Sequence, residues 1–281
     1  MTDAAYQACQ RLAREHYENF PVASWMLPPG ARPHIAAIYA FARAADDFAD
    51  EGVRSPAERL ALLDDWRRRL YEAASESPAS GAAGESDIFV ALSRTMRECR
   101  LDVRLFDDLL SAFAQDVTVT RYDTWDELLD YSRRSANPVG RLVLQVCGYR
   151  DAGLDHLSDQ VCTALQLANF WQDLARDWAK GRLYVPREVF AAAGAREDDL
   201  ELGRMSPEWR AAQRDVVRRT RRIFQEGRAV ADGVRGRLRW ELRATWLGGM
   251  RILEELEAVD FDVFNHRPAL GLTDKMRIGV R

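Results

Sequence analysis

Four oxygen-bearing side chains, Gln166, Asn169, Asp173 and Asp177, stand three and four residues apart within the stretch Gln160–Pro186. That spacing points to one local structure. At 100° per residue a continuous helix gathers them into an arc of about 80° on one face, whereas a strand would scatter them over both faces. No charged residue occurs from Gln160 to Gln172, so the segment reads as buried helix with an inward polar stripe. Gln166 and Asn169 then need partners. Stacked oxygen ligands suit a hard divalent cation such as Mg²⁺, which takes few carboxylates and keeps several waters. A solvated acidic stripe is the plain alternative, and spacing alone leaves both open.

The stretch Pro33–Gly52 repeats the pattern. Asp46 and Asp50 are four apart, and Tyr39 and Arg43 precede them on the same face. Pro33 suits a first helical turn and Gly52 an exit. Ile35, Ile38, Ala42 and Ala45 supply an apolar ladder. Two such helices facing each other across a cavity would hold metal ions and a ligand bearing several negative charges, as a diphosphate does. Without cations the carboxylates would repel one another, so neutralising one should leave the metal-free fold as stable as before.

The rest of the chain also reads as helices: about 3–18, 56–71, 88–99, 103–119, 126–135, 139–147, 206–234 and 238–256. Asn137–Pro138 separates 126–135 from 139–147, because proline disfavours helical backbone in the residue before it. Residues 181–194 read as a connector with an extended stretch, and 75–86 as a small-residue loop. No β alternation and no internal repeat stands out. The expectation is an all-α fold in a single domain over 1–281, with its core at about 5–260, a polar tail at 265–281 and a central cavity.

Composition excludes several functions. The 40 Lys+Arg against 44 Asp+Glu leave a net charge of −4, unsuited to coating nucleic acid. Cys9, Cys99, Cys147 and Cys162 form no CxxC pair and read as reduced thiols of a cytoplasmic protein. No signal-peptide pattern opens the chain, and no uncharged run reaches the ~18–20 residues that span a bilayer. Peripheral contact with the inner membrane stays compatible with the sequence. The arginine-dense stretch Ser206–Val234 is the candidate for it, although its interspersed acidic residues favour a solvated face. No GxGxxG or P-loop occurs.

With both aspartate motifs in hand, the chain resembles the squalene/phytoene synthase family. The resemblance rests on His16…Phe20, YAFARAADDFAD (Tyr39–Asp50), YSRRSANPVG (Tyr131–Gly140) and QLANFWQDLARD with GRLYVP (Gln166–Asp177, Gly181–Pro186). Four motifs in the family's order cover about residues 5–260. Within the family, His16–Ser24 and Asn169–Pro186 look most like the bacterial hydroxysqualene synthases of hopanoid biosynthesis. Two departures stand out. Relatives commonly carry serines after the first-helix histidine, where this chain has Tyr17 and Asn19, and often a tyrosine in the last core helix, where this chain has Gly249.

The resemblance implies an isoprenoid-synthase helical bundle and Mg²⁺-dependent chemistry on a prenyl diphosphate. It implies Asp46, Asp50, Asn169, Asp173 and Asp177 as ligands of several Mg²⁺ ions. His16, Asn19, Phe20, Tyr39, Arg43, Gln166, Arg182 and Tyr184 would contact substrate, and Tyr131 would lie beside the reacting carbons. Asn137 and Gln166 are polar enough to position a quenching water. The implied reaction takes presqualene diphosphate to hydroxysqualene with water, without NADPH, in company with other enzymes of the squalene pathway. Head-to-head condensation of farnesyl or geranylgeranyl diphosphate is the alternative within the family. A non-catalytic helical scaffold at the membrane surface is the alternative outside it.

Overall fold

The computed structural model describes residues 2–15, 26–75 and 83–270. Eleven α-helices run through these residues: α1 (Thr2–Glu15), α2 (Arg32–Asp50), α3 (Pro56–Ala74), α4 (Ala83–Cys99), α5 (Val103–Asp116), α6 (Trp125–Ser135), α7 (Asn137–Val146), α8 (Ala152–Ala179), α9 (Arg187–Ala192), α10 (Pro207–Gly227) and α11 (Gly236–Ala258). Glu197–Leu202 and Arg228–Gly233 are 3-10 turns. The expected all-α class holds. The only β pairing among the described residues is an isolated parallel bridge between Arg121 and Leu183.

Helix ends follow the local chemistry. Ser55 and Thr124 close capping boxes with Glu58 and Glu127, and Asp102 accepts from the Arg104 N–H to start α5. Such caps satisfy donors that the first turn leaves orphaned. The break expected at Asn137–Pro138 is present, with α6 ending at Ser135 and α7 starting at Asn137. Helix α8 begins at Ala152, ahead of the stretch Gln160–Pro186, with Asp151 accepting from the Leu154 N–H at 2.8 Å. The helix expected over 206–234 stops being α-helical at Gly227. A Cβ there would lie 2.8 Å from Val161 and 2.9 Å from the Leu157 carbonyl, so only glycine allows the approach to α8. Of the small-residue loop expected at 75–86, residues 76–82 lie outside the described residues, and 83–86 belong to the start of α4 instead.

Two compact units are resolved. One comprises Met1–Thr118, Pro138–Asp155 and Val234–Glu241; the other comprises Val119–Asn137, His156–Gly233 and Leu242–Arg281. The first is built on Phe41, whose ring lies 5.8 Å from Trp66, 6.0 Å from Phe89 and 5.5 Å from Phe106. All four are essentially inaccessible, and burying a large apolar side chain contributes roughly 1.5–3 kcal/mol. The second is built on Trp171, Trp209 and Phe224, also fully buried. Each indole N–H there has a partner: Trp171 donates to Thr220 at 2.8 Å and Trp209 to the Arg196 carbonyl at 2.8 Å. Buried tryptophans need such partners.

Candidate active site

Helix α2 presents the first aspartate motif because Phe41 anchors its opposite side. The Phe41 carbonyl accepts from the Trp66 indole at 3.3 Å, which fixes the rotation of the helix. By helical geometry, Tyr39, Arg43, Asp46 and Asp50 then fall in an arc of about 60° facing away from Phe41. All four are partly accessible. Arg43 pairs with Asp47 at 2.6 Å and reaches Asp46 at 3.4 Å. The guanidinium thus sits among the carboxylates of its own helix.

Helix α8 presents the second motif in the same way. Trp171, Leu167, Ala164 and Leu174 are buried, and Gln166, Asn169, Asp173 and Asp177 line another face with intermediate exposure. Asn169 donates to Asp173 at 3.3 Å. Asp173 is also gripped by Arg267, with Nε 2.5 Å from Oδ1 and Nη2 3.0 Å from Oδ2, while Arg176 approaches to 3.8 Å. The expectation that these carboxylates face a space without cationic partners therefore fails for Asp173. The arginine responsible lies 94 residues further on, where the sequence offered no periodic signal. Gln172 donates to the Pro268 carbonyl at 2.5 Å, so the described part of the polar tail is tied to α8.

Beside this stripe four aromatic rings assemble. Tyr184 stacks on Phe170 at 3.8 Å and 9°. Tyr131 lies 6.1 Å from Phe170, 6.2 Å from Tyr184 and 5.6 Å from Tyr122. The connector is held against 120–123 by the Leu183 N–H to Thr120 carbonyl and Arg187 N–H to Tyr122 carbonyl bonds, each 2.9 Å. The Arg182 N–H donates to the Asp177 carbonyl at 2.8 Å, which sets Arg182 directly after the last motif aspartate. Sequence reading singled out Tyr131 and Tyr184 but missed Phe170 and Tyr122. Phe170 follows Asn169 directly, and that adjacency was the available signal.

Asn137 has a different task from the one its polarity suggested. Buried at 7% exposure, its Oδ1 accepts from the Thr163 hydroxyl at 2.8 Å, so it ties the start of α7 to α8. His16, Asn19 and Phe20 lie outside the described residues. Gly249 makes room for a ring: a Cβ there would sit 2.8 Å from Cε1 of Phe224 and 2.9 Å from Leu165.

Among the described residues no group of three or more His, Cys, Asp or Glu side chains is arranged to hold a metal ion. The donor chemistry on α8 nevertheless fits Mg²⁺: two carboxylates and two amide oxygens share one face, and no soft ligand intrudes. The thiols have no such role. None of the four cysteines is in a disulfide. Burial pushes the Cys9 thiol up to about 12 and the Cys147 thiol up to about 11, leaving both protonated and weakly nucleophilic at neutral pH.

Known proteins resemble the chain in sequence and in fold. A hydroxysqualene synthase of Zymomonas mobilis is 42% identical over 186 residues, covering 65% of this chain and 59% of that protein. One of Rhodopseudomonas palustris is 36% identical over 245 residues, covering 86% and 80%. The crystal structure of squalene synthase HpnC from Alicyclobacillus acidocaldarius superposes with a TM-score of 0.85 at 39% identity, covering 93% of this chain and 96% of that one. Residues 13–274 match the squalene/phytoene synthase family model, and the chain belongs to the squalene/phytoene synthase family.

Proposed function

We propose that this enzyme converts presqualene diphosphate to hydroxysqualene with release of diphosphate. The observation that carries the reading is the adjacency, within one unit, of an oxygen-donor stripe and an aromatic wall. Asn169 and Asp173 belong to the stripe, and the next residue after Asn169 is Phe170, stacked on Tyr184. Ionising a prenyl diphosphate creates an anion and a carbocation side by side. The stripe suits the first and the rings suit the second. The hydroxysqualene synthases at 36–42% identity favour the branch that ends in water capture.

Asn169, Asp173 and Asp177 on α8 are suited to hold Mg²⁺, and so, in their own unit, are Asp46 and Asp50 on α2. When bound, the ions neutralise the charge that builds on the departing diphosphate. Arg43 and Arg182 supply planar donors for phosphate oxygens. Gln166 offers an amide one turn before Asn169, placed to orient the head group. The faces of Tyr131, Phe170, Tyr184 and Tyr122 offer negative π density to a carbocation, worth ~0.5–2 kcal/mol per ring and more when dry. Tyr131, 3% exposed, keeps its ring in the wall and gives that wall a hydroxyl able to steer or take a proton.

The reading carries further commitments. The whole chain acts as one isoprenoid-synthase domain, and NADPH takes no part. The enzyme works in the cytoplasm beside others that make and consume squalene-type intermediates. No helix among the described residues is long and apolar enough to cross a membrane.

The test is substrate discrimination in Mg²⁺ buffer. Presqualene diphosphate should be consumed and an alcohol formed. Turnover of farnesyl diphosphate with none of presqualene diphosphate would assign the enzyme to head-to-head condensation instead.

A further inference from the structure

We propose that Ser135 holds the water that captures the carbocation, with the Gln166 amide as the second partner of that water. The inference rests on the reading of function above and deepens it. Water capture needs one ordered water in a chamber that keeps bulk water out.

Ser135 is the last residue of α6. Its Oγ is buried and makes no hydrogen bond among the described residues. A buried hydroxyl without a partner is costly, and a helical hydroxyl has a ready remedy in the carbonyl four residues back. Ser132 donates to the Leu128 carbonyl in this way at 2.9 Å, and Thr220 to the Val216 carbonyl at 2.8 Å. Ser135 makes no such bond to Tyr131. Its hydroxyl is left for a partner from outside its own helix.

The position of Ser135 indicates that partner. Leu128, Tyr131 and Ser135 fall within an arc of about 60° on α6, the face on which Leu128 and Tyr131 are buried. Tyr131 stands 6.1 Å from Phe170 on α8. Past the end of α6, Asn137 accepts from Thr163, earlier on α8, at 2.8 Å. Between these two contacts the segments therefore run antiparallel. Ser135 lies about 6 Å beyond Tyr131, and Gln166 about 6 Å beyond Phe170 in the same direction. Thr163, Gln166 and Phe170 share an arc of about 60° on α8, so Gln166 comes level with Ser135. Both residues belong to the second unit.

The donor set fits water. A buried water needs at least two polar partners. Ser135 Oγ both donates and accepts, and the Gln166 amide has a donor and an acceptor of its own. Asn137 is a poorer anchor, because its Oδ1 already takes the Thr163 hydroxyl. One turn from Ser135 stands Tyr131, so a water held here borders the rings that face the carbocation. In the capture step Ser135 Oγ accepts one water hydrogen, which turns an oxygen lone pair toward the cation. That lone pair forms the C–O bond, and the oxonium proton passes to the released diphosphate. Without the water, the cation loses a proton from a neighbouring carbon to the same diphosphate, and a hydrocarbon with one more C=C bond results.

The experiment supplies presqualene diphosphate and Mg²⁺ to the parent, Ser135→Thr, Ser135→Val and Ser135→Ala, and reads the ratio of alcohol to hydrocarbon by mass spectrometry. Threonine and valine are alike in shape and differ in the hydroxyl. Ser135→Thr should keep the parent ratio. Ser135→Val should lower it at least about tenfold, as expected when a hydrogen bond that orients a reactant is lost. Ser135→Ala, which adds no bulk, should lower it too. The ratio is set per turnover, so partial unfolding of a variant does not alter it. An unchanged ratio in Ser135→Val and Ser135→Ala, with alcohol from the parent, would overturn this proposal alone. So would an equal fall in Ser135→Thr and Ser135→Val, which would assign the effect to bulk at the site. A parent that makes no alcohol would overturn the reading of function, and this inference with it.

Discussion

Arg267 grips Asp173 side-on, through Nε at 2.5 Å and Nη2 at 3.0 Å, so the first carboxylate of the α8 motif has a cationic partner of its own. Arg267 and Asp173 are only 31% and 15% exposed. Such two-point charge-assisted pairing is stronger than an ordinary surface ion pair.

Neutralising the pair should therefore cost stability. Asp173→Asn and Arg267→Gln are each expected to lower stability by about 1–2 kcal/mol, and the double variant by little more than either single one. Asp46→Asn should be close to neutral, because Asp46 is 46% exposed and its Arg43 contact is 3.4 Å. Urea unfolding of the four variants checks this. Additive losses at 173 and 267 would show that the pair is not coupled.

Activity should separate differently from stability. Asp46→Asn and Asp173→Asn should both remove most turnover, by at least about 100-fold. A D173N enzyme that is less stable yet fully active per folded molecule would remove Asp173 from the ligand set.

Gly249→Ala tests the close packing of α11 against Phe224 and Leu165. Inside a helix, Gly→Ala normally stabilises by up to ~1 kcal/mol. Here the new Cβ would overlap Cζ of Phe224 and lie 2.8 Å from its Cε1 and 2.9 Å from Leu165, and overpacking costs about 1–3 kcal/mol. The expected outcome is a net loss, read as a lower melting temperature. A rise would show that Phe224 can step aside.

Much of this fold was legible because helices announce themselves by period. The apolar ladder of α2 and the polar stripe of α8 lie where their spacing put them. Contacts that close over long sequence distance were not legible. Arg267 reaches Asp173 across 94 residues, and Tyr122 joins the aromatic wall from a segment with no helical period. The end of α10 at Gly227 depends on how closely α8 approaches, a packing fact that propensity does not encode. Asn137 looked available for chemistry because its Thr163 partner sits in another helix.

A buried polar cluster shows the same limit and carries a pH signature. Tyr6 Oη, His34 Nδ1 and Thr95 Oγ1 lie within 3.2 Å, 2.9 Å and 3.0 Å of one another, with Glu98 3.7 Å from the far His34 nitrogen. Burial pulls the His34 pKa below its ordinary 6.5, against the opposing pull of Glu98. The unfolded chain therefore takes up a proton first as pH falls. The neutral imidazole contributes stability that is full above pH 6.5 and lost as pH drops through the lowered folded value. His34→Gln should flatten the stability–pH slope between about pH 5 and 7, measured by thermal melts. An unchanged slope would place the titration elsewhere.

The origin of the product hydroxyl tests the central claim most directly. The enzyme is incubated with presqualene diphosphate and Mg²⁺ in ¹⁸O-labelled water, with and without NADPH, and the product is read by mass spectrometry. Water capture predicts an alcohol carrying one ¹⁸O, formed at the same rate in both samples. An unlabelled hydrocarbon whose formation depends on NADPH would contradict the account.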